Sequence, residues 1–196
     1  MVAEFYPTSS TRSEITTDET LLLTAEEYFA SCHAERSELI NGKVVELMPP
    51  GAIHGEFAVT IASFLKGFVR GKNLGRVYVE TGFVLQRNPT IVRSPDVSFI
   101  EISRLENGKS PQNFIEGAPT LAVEIVSPGD TWSEVESKTR LYIEKGTREV
   151  WIVEAESRTI EVRRVGQASR IYLQNETLQT DVLPDFQMSL AEVFED

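Results

Sequence analysis

A single cysteine, Cys32, leaves this 196-residue chain without a partner for an intramolecular disulfide and without a cysteine pair for a zinc site. Long apolar runs are also missing. Stretches such as Leu121-Ala122-Val123 fall far short of the about 20 residues that cross a bilayer, so no membrane role is expected. The first residues have neither the basic start nor the apolar stretch of a signal peptide, and the expected compartment is the cytoplasm. Basic residues are scarce beside acidic ones, 19 against 30, and the net charge of -11 repels nucleic acid at long range. That sum does not fix the potential at one site, where a local basic face or a bound divalent cation reverses it. The sequence contains no Gly-x-x-x-x-Gly-Lys-Ser/Thr loop, no Gly-x-Ser-x-Gly elbow and no dinucleotide fingerprint. Phosphate-loop, serine-hydrolase and nicotinamide chemistries therefore have no support.

What is present is ordinary globular material, 41% hydrophobic and 25% charged, enough for one core. Residues 1–20, rich in Ser and Thr and without periodicity, are expected to form a loose, flexible arm, and 21–196 one domain. Thr24 and Glu27 match a capping box for a short helix ending near Ser31. Asn41-Gly42, between Glu38-Leu39-Ile40 and Lys43-Val44-Val45, predicts a two-residue hairpin. Phe57, Ile61, Phe64, Leu65 and Phe68 mark one stripe of a long helix over about 54–70. Segments 76–80 and 83–86 read as extended around Thr81-Gly82, either as one bulged strand or as a hairpin.

Further along, 96–100 and 121–126 read as strands, the second apolar enough to be central. Thr131 and Glu134 open a helix that stops at Gly146, and 149–153 follows as a strand, which makes a strand-helix-strand unit. A hairpin over 159–173 and a short helix capped by Ser189 and Glu192 complete the chain. The expected class is α/β, a mixed central sheet flanked by helices with extra β-hairpins.

Four residues could carry chemistry. Glu124 lies inside an apolar strand, where a charged carboxylate requires a cation, a metal or several hydrogen bonds. An edge position or an Arg partner would serve equally. Asp96 follows Pro95 at a strand entrance, where a plain turn aspartate is the alternative. Lys138 borders the face of its helix that carries Val135, Thr139 and Tyr142, although an exposed pair with Glu134 has the right spacing. His54 starts the long helix and could move a proton or position an anion, a packing histidine being the commoner outcome. Glu46 and Glu80 stand near strand ends as secondary carboxylates. Cys32-His33 is no dyad, because adjacent helical residues face apart.

Ser94-Pro95-Asp96, then Val123-Glu124-Ile125-Val126-Ser127-Pro128, then Lys138 with Tyr142, resembles the Uma-type family of bacterial restriction-endonuclease-like proteins. That family belongs to the PD-(D/E)XK nuclease superfamily. The likeness runs from about Leu39 to Phe186 and takes in Pro49-Pro50-Gly51, His54 and Leu183-Pro184-Asp185-Phe186. It implies a core of helix, three-stranded meander, helix and strand, with Asp96 and Glu124 as ligands for Mg²⁺ or Mn²⁺ and DNA as substrate. The superfamily lysine belongs two residues after the glutamate, where this chain has Val126, and the resemblance implies that Lys138 takes its place from the following helix.

Two carboxylates with the Ile125 carbonyl are hard oxygen ligands suited to Mg²⁺. The expected function is metal-dependent hydrolysis of phosphodiester bonds, with a homodimer as the simplest way to cut both strands. The competing expectation is a non-catalytic module of the same fold that binds a protein or nucleic acid.

Overall fold

Short-range signals set the first elements of the computed structural model, which describes residues 22–31 and 36–195. The arm expected over 1–20 and the Cys32-His33 pair lie outside the described residues. Thr24 accepts a hydrogen bond from the Glu27 N–H at 3.2 Å and Glu27 accepts one from the Thr24 N–H at 2.8 Å, so α1 (Ala25–Ala30) starts in a capping box. Asn41 and Gly42, with φ of 52° and 77°, turn β1 (Ser37–Ile40) into β2 (Lys43–Glu46). Next comes α2 (Ala52–Val69), which buries His54, Ala58, Ile61, Leu65 and Val69 while Phe57, Phe64 and Phe68 flank that stripe.

The chain continues through β3 (Gly75–Val79), β4 (Phe83–Arg87), β5 (Thr90–Arg93), β6 (Val97–Glu101), β7 (Ile115–Glu116) and β8 (Leu121–Val126). After α3 (Trp132–Glu144) come β9 (Glu149–Glu154), β10 (Thr159–Arg164), β11 (Arg170–Leu173), β12 (Thr177–Gln179), β13 (Gln187–Ser189) and α4 (Leu190–Val193). Six strands form one sheet in the order β11-β10-β9-β8-β6-β3, in which only β8 and β9 are parallel, joined across α3. Five form a second sheet, β2-β1-β5-β4-β7, and β12 pairs with β13 alone. Helix α2, strands β3, β6 and β8, helix α3 and strand β9 reproduce the expected core of helix, meander, helix and strand.

The central sheet is packed on both faces. Val97, Phe99, Leu121, Val123, Ile125 and Trp151 meet α2 and the C-terminal segment. On the other face Ile100, Ala122 and Val150 meet Tyr142 of α3 and Phe83, Leu85 and Ile115 of the second sheet. Each fully buried large apolar side chain contributes about 1.5–3 kcal/mol, and both layers hold several. By length and composition α2 would pass for a membrane-crossing helix, yet here one of its faces lies against the sheet.

Two expectations need correction. The segments around Thr81-Gly82 form neither a bulged strand nor a hairpin, because β3 joins the six-stranded sheet and β4 the five-stranded one. The crossing point is tight: a Cβ on Gly82 would stand 2.3 Å from the Phe114 ring, and the Gly82 carbonyl accepts from the Ile115 N–H at 2.9 Å. At the C-terminus α4 does begin after Ser189, but no side-chain cap bond forms. Of the helix's first N–H groups, that of Leu190 donates to the Glu176 carbonyl at 3.0 Å, a partner supplied by the loop before β12.

Candidate functional site

Register brings the two acids together. Val97 pairs with Val123 in the antiparallel β6–β8 ladder, so Asp96, one step before, falls opposite Glu124 on the same face. Pro95 has no N–H to donate to the ladder, and beyond Val97 the Asp96 side chain makes its own bond to β8: Oδ2 accepts from the Ile125 N–H at 2.7 Å. The N–H and C=O of one strand residue point the same way, so the Ile125 carbonyl also faces the Asp96 side.

Asp96 is buried and well satisfied. His54, in the first turn of α2, places Nε2 3.2 Å from Oδ2, and Arg36 donates to Oδ1 at 2.9 Å. Burial opposes the charge of Asp96, but the His54 contact and the Ile125 N–H outweigh it and hold the carboxyl below the usual range. The same hydrogen bond raises the His54 pKa against the effect of burial. Its Nδ1 is buried with no hydrogen-bond partner among the described residues.

Glu124 is held from α3. Lys138 Nζ lies 3.1 Å from Oε2, and the Tyr142 hydroxyl donates to Oε1 at 2.8 Å. The capping box at Thr131 fixes where this helix begins, and three to four residues per turn then bring Lys138 and Tyr142 over the β8 strand. Burial pushes the Glu124 pKa up to about 7; Lys138 pulls it down, while Asp96 and Glu38 push it further up. The carboxylate in turn raises the Lys138 pKa, and burial raises that of Tyr142.

The structure thus gathers Asp96, Glu124, Ile125, Lys138 and His54 at one end of the six-stranded sheet. Glu80 reaches the margin, bridged to Asp96 by Arg36 at 3.0 Å. Glu46 does not: it is exposed at the end of β2, opposite Ser37. Sequence reasoning missed Arg36 and the pair of Glu38 with Arg93. The side chain of Glu38 is fully buried; Oε2 binds Arg93 and Oε1 accepts from the Ser94 N–H at 3.1 Å, two residues before Asp96. The signal was available, since Glu38 is an acid beside Leu39 and Ile40, the same pattern that drew attention to Glu124.

The donor chemistry suits a hard cation: two carboxylates and a carbonyl oxygen, one carboxyl displaced upward by burial and by the other's charge. Glu124, Ile125 and Lys138, with Asp130 and Glu134, line a recess of about 20 Å³, room for one water-sized species. The turn that shapes it is held by the Ser127 N–H donating to Asp130 at 2.8 Å. Among the described residues no three His, Cys, Asp or Glu side chains converge as a ready ligand set, so the carbonyl and waters would have to complete the shell.

The chain is similar to a crystal structure described as a putative nuclease belonging to DUF820 from Anabaena variabilis, with a TM-score of 0.75 and 21% identity over 88% of this chain and 97% of that one. At that identity the likeness establishes the shared fold. A search of curated proteins found no match. The family model for Uma2, described as putative restriction endonuclease, matches residues 25–191. A match over so much of the chain, on the fold and side-chain cluster just described, means that the protein belongs to the Uma2 family.

Proposed function

We propose that the protein is an endonuclease that hydrolyses phosphodiester bonds in DNA, with Asp96, Glu124 and the Ile125 carbonyl holding Mg²⁺ or Mn²⁺. The observation that carries this reading is the Lys138 ammonium on Glu124 at 3.1 Å, delivered by the helix that follows the strand and set beside the buried Asp96. A bound cation would offset charge on the phosphate and make a nearby water more acidic.

The chain's own residues do the positioning. Lys138 offers N–H donors to the attacking water or to the phosphoryl oxygens, where charge gathers in the transition state. Tyr142 fixes Oε1 of Glu124 so that Oε2 faces the lysine. His54 and Arg36 orient Asp96, one on each oxygen. Two-fold pairing of chains would supply a site for each strand of a duplex.

The test is nicking of supercoiled DNA with and without Mg²⁺ or Mn²⁺. Asp96→Asn and Glu124→Gln are expected to lose cation-stimulated nicking while keeping the native circular-dichroism spectrum. Unchanged nicking in both variants would sink the assignment.

A second reading rests on a specific observation: the carboxylates already hold protein donors, Arg36 and His54 on Asp96, Lys138 and Tyr142 on Glu124. A module of this fold could bind a partner without chemistry. Calorimetric titration with Mg²⁺ and Mn²⁺ separates the two, since the enzyme requires binding that Glu124→Ala removes.

A further inference from the structure

At the other end of β6 and β8 the sheet opens into a cleft of about 340 Å³, within the about 300–1,000 Å³ of ordinary small-ligand sites. Five residues of β6 separate it from Asp96, a span of about 16 Å, so it is a different place from the nuclease site. Arg104, Lys145 and Arg148 line it, with Glu101 as the one acid, giving a positive hollow on a chain whose net charge is -11.

The cations differ in what already binds them. Arg148 is matched by Glu101 at 2.6 Å. Arg104 donates to the Ala118 carbonyl, and Lys145 to the Gln86 amide oxygen at 2.6 Å; among the described residues neither has a carboxylate partner. Two unmatched positive charges therefore face the cleft. Thr120, also in the lining and buried, accepts from the Glu101 N–H at 3.1 Å, and its own proton has no acceptor among the described residues. The C-terminal end of α3 adds partial negative charge, answered by Lys145 at the cap.

The place for Arg104 is built in. Gly117, with φ of 76°, lies under the guanidinium, and a Cβ there would stand 2.9 Å from it. Two cations without a carboxylate partner among the described residues call for two negative charges on one small group. A phosphomonoester carries about -1.5 to -2 near neutral pH and offers three acceptor oxygens, whereas a carboxylate carries only one charge. The arginine fork and the threonine hydroxyl match those oxygens.

We propose that this cleft binds the phosphate of a small phosphomonoester, with Arg104, Lys145 and Thr120 as its donors. The proposal does not depend on the nuclease reading. The test is calorimetric titration of the full chain at pH 7.5 with inorganic phosphate and, separately, thymidine 5′-monophosphate. Saturable binding is expected, weakened about tenfold in Arg104→Gln and again in Lys145→Gln, with each variant's thermal midpoint measured in the absence of ligand. Tighter binding of the nucleotide identifies a nucleotide as the source of the phosphate, and equal binding identifies free phosphate. Absence of saturable binding in the millimolar range, or binding that neither variant weakens, overturns the proposal. Glu124→Gln is expected to leave phosphate affinity unchanged, which separates this cleft from the nuclease site whatever that site does.

Discussion

Two glutamates lie buried in neighbouring parallel strands, and they lead different lives. Glu149 opens β9 on the α2 face, held by Arg164 at 2.6 Å and by the Trp151 indole N–H at 2.5 Å. Glu124 lies three residues into β8 on the α3 face, with one lysine and one tyrosine hydroxyl. The first is matched by a partly buried guanidinium that lies closer to it than to Asp181. Burial first, and then the field of Asp96 and Glu38, keep the proton affinity of the second high against the pull of its lysine. Burial of a carboxyl therefore does not mark a site. What sets Glu124 apart is the addition of neighbouring acids to its burial, with a single lysine of its own, an arrangement that a divalent cation would relieve.

The contrast can be tested in five ways. Glu149→Ala should be the costliest change, about 3 kcal/mol or more in urea unfolding, because the buried Trp151 N–H would lose its acceptor and the partly buried Arg164 would keep only Asp181 at 3.6 Å as a carboxylate partner. A loss under about 1 kcal/mol would mean that Glu149 is not the matched partner described. Glu124→Gln should behave oppositely. A folded-state pKa of about 7 lies above the ordinary carboxylate value, so the contribution of Glu124 to stability is fully present at low pH and is lost as pH rises toward 7. In cation-free buffer the wild type should lose about 3 kcal/mol relative to Glu124→Gln between pH 4.5 and 7.5, and parallel pH curves for the two proteins would refute this.

Smaller effects sharpen the comparison. At pH 7.5, Mg²⁺ or Mn²⁺ at about 10–100 times its dissociation constant should stabilise the wild type by about 1.4–2.7 kcal/mol, leave Glu124→Gln unmoved, and act undiminished on Arg164→Lys. The smallest change is Thr131→Ala, which removes the cap of the helix carrying Lys138 and should cost about 1 kcal/mol in urea. Thr24→Ala, at the α1 cap, should cost about as much while leaving cation binding alone.

What could be read from the sequence was what neighbours in the chain decide. The Asn41-Gly42 turn, the capping boxes at Thr24 and Thr131, and the placing of Lys138 and Tyr142 on one helical face all follow from spacings of a few residues. The approach of Asp96 to Glu124 was implied only by family likeness and appears here through the β6–β8 register. The parting of β3 and β4 into separate sheets was hidden, because a bend and a crossover look alike when only Thr81-Gly82 is seen. Arg36 on Asp96 and Glu38 on Ser94 were hidden for the same reason, since they span about 60 residues of chain and depend on tertiary pairing. The Ser189 side chain makes no cap bond, and the tie that does hold this helix start, from the Leu190 N–H to the Glu176 carbonyl, spans a turn of chain that local spacing does not show.

Asp96 leaves β5 through Ser94 and Pro95 and enters β6 at once, so it is moored to both sheets, with Glu38 and Arg36 as lines from the smaller one. Melting of that smaller sheet alone would cast the aspartate loose while the β8–β9 core stayed closed. Amide exchange should then show the β1, β2 and β5 amides opening ahead of those in β8, and heat inactivation should precede the loss of bulk secondary structure.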